Sequence, residues 1–147
     1  MSTTQDNENS EPSCSSAPLS TIPADDWYLR NLVDLANRVG FECGITLTVG
    51  GTTITGTLVG GKKYFEQFGK LASEGWPGNE DDREHTRIEF SKPARLYESE
   101  DQSAPSFIHL VNAKIVHPTA FMPNEGMLWR GRLTAISGFA LGSLSIG

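Results

Sequence analysis

After residue 26 the chain divides into short runs of helically spaced or alternating apolar positions, separated by glycines. Leu29, Leu32, Val33 and Ala36 stand at i, i+3, i+4 and i+7, and Tyr28, Leu32, Leu35 and Val39 widen the stripe. That period belongs to a helix with one buried face. Asp25 or Asp26 can cap its start, and Gly40 can supply a left-handed stop. From Phe41 the period drops to two. Phe41, Cys43, Ile45, Leu47 and Val49 face one way, as in a half-buried strand. Gly50-Gly51 suits a two-residue hairpin turn, where both positions take positive φ. Residues 52–58 then return as a second strand, with Ile54 and Leu58 on the apolar face. Gly56 inside that strand predicts a bend or bulge.

Helical spacing reappears over residues 62–73, where Tyr64, Phe65, Phe68, Leu71 and Ala72 share a face. The three aromatic rings could form a stacking platform for bases. The favoured reading is a helix packed on a barrel mouth, because an apolar helix face needs a surface to bury against. About residues 76–104 read as a polar, acidic insertion punctuated by Pro77 and Pro93, with short strands at 87–90 and 94–98. Three longer strands follow at 107–116, 127–136 and 139–146. The predicted fold is α+β and mainly β. An N-terminal helix precedes a small, strongly bent antiparallel sheet or an Sm/SH3-like open barrel, with one extra helix and the insertion. Leu32, Val33, Ile45, Leu47, Ile54, Leu110, Trp129 and Leu133 are the expected single core. The last strand carries no charged residue, so it lacks a common device for blunting a sheet edge. A homo-oligomer built partly on it is expected.

Composition adds a tail and a charge pattern. Hydrophobic residues make up 37 % of 147, below the usual share of about 45–50 %. Residues 1–24 account for part of the deficit. They are rich in Ser, Thr, Asn, Glu and Pro, and read as a disordered acidic tail ahead of a single domain at 25–147. The net charge of −6 is unevenly spread: residues 1–26 hold five acids and no base, and residues 74–101 hold nine acids and four bases. The remainder has eight bases against four acids. Binding to phosphates needs clustered Lys and Arg, so nucleic acid is not expected as a partner. A Cys14–Cys43 disulfide is conceivable, but a tail thiol and a buried strand thiol are favoured. The start has neither the basic residues nor the apolar run of a secretory signal. No stretch reaches the roughly 20 apolar residues that cross a bilayer. A soluble cytoplasmic protein without a membrane partner is expected.

Candidate chemistry is sparse. His85 lies among Asp81, Asp82 and Glu84, where a solvated charge run explains it better than a metal site. His109 alternates with Phe107 and Val111, and reads as a partly buried strand histidine. Gly138-Phe139-Ala140-Leu141-Gly142 has Ala where a nucleophile would stand, and Gly60-Gly61-Lys62-Lys63 lacks the full phosphate-loop spacing. No catalytic group, metal or cofactor is therefore expected. Trp129-Arg130-Gly131-Arg132 is the one basic and aromatic cluster of the ordered part. Two readings stay open. One is a partner-binding or anion-binding edge, since Trp and Arg are common interface anchors. The other is ordinary strand residues, with Trp in the core and the arginines outside. The candidate partner-binding residues are Trp129, Arg130, Arg132, Tyr64 and Phe65.

Two family resemblances follow. Gly56-x-Leu58, Leu110-x-Asn112-Ala113 and Arg130-Gly131 with Ile136 resemble the Sm pattern. The chain departs from it where RNA-binding members carry Asp and Asn, because Gly61-Lys62-Lys63-Tyr64-Phe65-Glu66 opens a helix there. A closer resemblance covers about residues 26–75 and 105–145. Its features are the helix ending in Gly40-Phe41, the Ile45–Gly51 hairpin with Thr55-Gly56-Thr57, and Tyr64-Phe65. Phe107-Ile108-His109-Leu110-x-Asn112-Ala113, Trp129-Arg130-Gly131-Arg132-Leu133 and Gly138-Phe139-x-Leu141-Gly142 complete them. In order and spacing these resemble the gas vesicle protein U family. That resemblance implies a non-enzymatic accessory protein that helps gas vesicles assemble or cluster. Its partners would be the vesicle shell or other accessory proteins. An Sm-like RNA-binding oligomer and a small enzyme without a recognisable motif are the alternatives.

Overall fold

A computed structural model of the chain describes residues 24–145. The expected tail, apart from residue 24, lies outside the described residues, as does Cys14. Helix α1 (Trp27–Val39) starts where the Asp26 carboxylate accepts the Tyr28 N–H at 2.8 Å. It stops at Gly40, whose φ of 74° is left-handed and whose N–H bonds back to the Ala36 carbonyl. Strands β1 (Cys43–Val49) and β2 (Thr52–Val59) form the expected hairpin, with Gly50 and Gly51 both at positive φ. The pairing of β2 with the next strand shifts register between Thr55 and Thr57, the bulge that Gly56 predicts. Helix α2 (Gly61–Glu74) follows, and Asn37 on α1 accepts its first N–H through Oδ1 at 2.9 Å.

The segment expected as a loop with two short strands is helical instead. Helix α3 (Glu80–Ser91) runs into a 3-10 helix (Lys92–Tyr97). The reason is local. The Asn79 side chain accepts the Asp82 N–H, while the Asp82 carboxylate accepts the Asn79 N–H. This reciprocal box satisfies two orphan donors at once. Glu80, Asp81 and Asp82 also place negative charge at the positive end of the helix dipole. Among the described residues, two α-helices follow α1, not one. Helix α3 lies close on α2 at Gly69, where a Cβ would stand 2.0 Å from Ser91 Oγ and 2.6 Å from the Arg87 carbonyl oxygen.

Strands β3 (Phe107–Val116), β4 (Phe121–Arg132) and β5 (Ile136–Leu141) complete an antiparallel sheet of order β4-β3-β2-β1-β5. Strand β4 begins earlier than its periodicity predicts, and β5 begins and ends earlier. The fold class is α+β, as expected, and the sheet does not close into a barrel. Its curvature follows from one connection. The outermost strands β4 and β5 are joined only by the 3-10 turn Leu133–Ala135. Four Cα steps from Arg132 to Ile136 span at most about 15 Å. Five flat strands would set the outer pair about 19 Å apart, so the sheet must bend strongly.

The bend encloses the main core. Leu29, Val33 and Ala36 from α1 pack with Ile45, Leu47, Ile54, Leu58, Ile108, Leu110, Leu133 and Ile136. Six of the eight expected core residues are buried here, while Leu32 and Trp129 are partly buried against the cluster. The widened helix stripe is not core: Tyr28, Leu35 and Val39 are 53, 46 and 73 % exposed. A smaller cluster of Val59, Tyr64 and Val111, with Phe65 and Leu128, joins α2 to the opposite face of the sheet.

Candidate partner-binding face

The second face of the sheet holds the unusual chemistry. Alternation along β3 sends Ile108 and Leu110 into the main core and His109 and Val111 toward α2. Antiparallel pairing sets His109 opposite Arg130 on β4. His109 is completely buried. Three rings approach it: Tyr64 at 4.7 Å, Phe65 at 5.7 Å and Tyr97 at 5.9 Å between centroids. Burial, and then the positive charge of Arg130, push its pKa down to about 4. The ring is therefore neutral at pH 7, and its Nε2 accepts the Arg130 Nε–H at 3.1 Å. A neutral imidazole that accepts at Nε2 carries its proton on Nδ1. That buried Nδ1 has no hydrogen-bond partner among the described residues. Leaving such a donor unpaired costs about 1–3 kcal/mol.

Arg130 is fixed from two sides. Its Nε is held by His109, and its guanidinium lies 3.6 Å from the centroid of the Phe107 ring. Phe65 lies 5.7 Å from the same group. Arg132, two residues along, projects on the same side at 6.0 Å from the Phe107 ring. Both arginines are exposed. Neither forms an ion pair with a carboxylate among the described residues, a state they share with Lys70, Arg83, Arg95 and Lys114. Burial raises the pKa of the Tyr64 hydroxyl, and the Arg130 charge partly offsets this.

Tyr64, Phe65, Arg130 and Arg132 thus come together, as four of the five candidate residues. Trp129 does not join them. It faces the main core, with its indole folded over Gly131, where a Cβ would stand 2.2 Å from the ring. Tyr64 and Phe65 are packing residues at the root of the face, not a free stacking platform. His109, Phe107 and Tyr97 were missing from the sequence candidates. Their signal was the pair of alternating motifs Phe107-x-His109 and Arg130-x-Arg132, which acquires meaning only when β3 and β4 are paired.

The remaining surface offers little enclosed space. An open groove of about 490 Å³ runs between Arg95, Tyr97, Ser99, residues 101–106 and Phe107. Arg38 braces its rim, donating to the carbonyls of Glu100 and Gln102 at 3.1 Å each. Among the described residues, no three His, Cys, Asp or Glu side chains converge as a metal site. Among the described residues Cys43 forms no disulfide, and burial raises the pKa of its thiol. None of the described helices is long and apolar enough to cross a membrane.

Fold and site together define a small α+β domain that presents a basic, aromatic-backed face. Residues 26–144 match the family model described as Gas vesicle protein GvpU-like, and the chain belongs to that family, a family of gas vesicle accessory proteins. The bounds of the match enclose residues 76–104, the segment that the sequence resemblance leaves out. No curated protein and no solved structure matches the chain.

Proposed function

We propose that this protein helps gas vesicles assemble or cluster through protein–protein contacts and without catalysis. It works in the cytoplasm, on the vesicle shell or on other accessory proteins at the shell. The observation that carries the reading is the Arg130–Arg132 face. Two exposed cations stand on β4, one of them held by His109 and Phe107, and among the described residues no carboxylate pairs with either. Family membership supports the setting.

Self-association on β5 is part of the proposal. Among the described residues, strand β5 pairs on one side only, with β1, and it carries no charge. An uncharged edge with unpaired backbone groups templates another strand. The Sm-like RNA reading has less support. It needs a basic mouth, yet Lys62 and Lys63, at the start of α2, already face Glu98 and Glu42.

The test is co-sedimentation with purified buoyant vesicles. The protein should float with them at low salt, and Arg130→Glu with Arg132→Glu should release it while leaving the fold intact. Absence of wild-type protein from the buoyant fraction would end the proposal.

A further inference from the structure

The aromatic backing of Arg130 does not end at Phe65. Phe65 and Phe68 stand one turn apart on α2, with ring centroids 6.5 Å apart. Phe68 meets Phe90 of α3 at 6.1 Å, and Phe90 meets Trp76, in the turn between the two helices, at 6.3 Å. Phe68, Phe90 and Trp76 are 38, 41 and 44 % exposed, so the rings touch one another yet leave much of their surface open among the described residues. A contiguous apolar patch rimmed by charge marks a docking surface, unlike scattered apolar side chains. Aromatic rings and Arg are also the side chains that most often anchor a partner.

The shape of the patch selects the shape of the partner. Phe68 and Phe90 come from two helices packed side by side, in close contact where Gly69 meets Ser91. A third helix laid along their seam meets rings from both. An added strand needs the unpaired edge of a sheet, which a helix pair does not offer. A helix of about 15 residues spans about 22 Å, enough to cover the three ring spacings. Charge sets its direction. The Arg130 guanidinium lies 5.7 Å from Phe65, at one end of the ring series, and Arg132 stands on the same side of β4. The turn of the partner nearest to them is therefore acidic. Acids favour the first turn of a helix, so that end points at the arginines.

None of the described helices of this chain combines these features. Helix α1 has exposed apolar residues but no acid in its first turn, and α2 has no acid there either. Helix α3 has three acids in its first turn, but Ile88 and Phe90 are its only large apolar residues. A second copy thus lacks the helix that the patch fits.

We propose that the α2–α3 seam docks an amphipathic helix of another protein, with its aliphatic stripe on Phe68, Phe90 and Trp76 and its acidic first turn on Arg130 and Arg132. The inference rests on the reading of the arginine face as a partner-binding surface, and it gives the chemistry of the partner.

The probe is a labelled synthetic helix of about 16 residues with leucines along one face and glutamates in its first turn, titrated with the full chain and followed by fluorescence anisotropy. A scrambled peptide of the same composition should bind at least about tenfold more weakly, because it lacks the stripe. Phe90→Ser and Trp76→Gln, which lie on different segments, should each weaken binding about five- to tenfold. Arg130→Gln with Arg132→Gln should weaken it about threefold and remove its salt dependence. A peptide with glutamine for glutamate should show the same loss against wild type. Changes in the peptide leave the protein untouched, so they decide the matter even where a variant misfolds. The proposal is overturned if the scrambled peptide binds as tightly as the amphipathic one, or if Phe90→Ser and Trp76→Gln bind like wild type. It is equally overturned if those two variants lower the light-scattering mass of the protein alone and leave peptide binding intact, since the rings would then serve a second copy. Flotation with vesicles is a separate measurement, so a protein that floats but ignores the peptide loses this inference alone.

Discussion

The two faces of the sheet contrast sharply. The fully enclosed residues of the face toward α1 are aliphatic, among them Leu29, Val33, Ile45, Leu47, Ile54, Leu58, Ile108 and Leu110, with Phe41, Trp129 and Phe139 packed against them at the margin. The face toward α2 buries a neutral histidine among tyrosine and phenylalanine rings and sets a charged arginine over it. Apolar burial stabilises without direction. The second face gives up part of that stability, through an unpaired Nδ1, for a side chain held in one orientation. The first face is therefore the place to look for folding energy, and the second for recognition.

Breaking the first face should have the largest effect. Leu47 is fully buried in the main core. Leu47→Ala should cost about 2–5 kcal/mol, read as a lower urea midpoint with an unchanged slope. A loss under about 1 kcal/mol would mean that the bent sheet does not enclose its core as described.

The second face should reveal itself by pH. The His109 pKa is depressed to about 4 in the folded chain, against about 6.5 when unfolded. The unfolded chain thus binds more protons between these values, and stability falls as pH drops from about 6.5 to about 4. The loss is at most about 3 kcal/mol and levels off at lower pH. Arg130, Tyr64 and Tyr97 surround the ring. His109→Leu should abolish this part of the pH dependence. Identical acid unfolding curves for the two proteins would refute the buried neutral histidine.

Gly69→Ala tests the helix pair that backs the second face. The added Cβ meets Ser91 Oγ and the Arg87 carbonyl, and a backbone carbonyl gives way only if α3 moves. Overpacking of this kind costs about 1–3 kcal/mol, partly offset by the better helix propensity of Ala. Hydrogen exchange should quicken over residues 80–97 and stay unchanged in β1. Asn79→Ala removes half of the capping box and should cost about 1 kcal/mol, with fraying confined to the start of α3. The smallest stability effect belongs to Arg132→Gln, within about 0.5 kcal/mol, since the side chain is exposed. That variant separates the contrast most cleanly, because its binding to buoyant vesicles should weaken while its melting curve stays in place.

What was legible in the sequence was local. The α1 stripe, its Asp26 and Gly40 ends, the Gly50-Gly51 hairpin, α2 and β3 all rest on residues a few positions apart, so period and capping chemistry define them. Helix α3 also had a local signal in Asn79-x-x-Asp82, but its acids read as a solvated charge run. Ile88 and Phe90 are exposed and gave no clear apolar stripe. Alternation placed Trp129 and the arginines on opposite faces, as one sequence reading held. It could not say what the arginines would meet.

The tertiary structure alone decided that. His109 and Arg130 are 21 residues apart, and they touch only because β3 pairs with β4 in one register. That register shifts near Asn112, which takes a positive φ, and near Gly126, which does the same. The burial of His109 depends further on α2 and on Tyr97 arriving from a different part of the chain. Periodicity determines which side of a strand a residue occupies. The partner on that side is set by long-range pairing and packing, and that is where the histidine became neutral and the arginine became fixed.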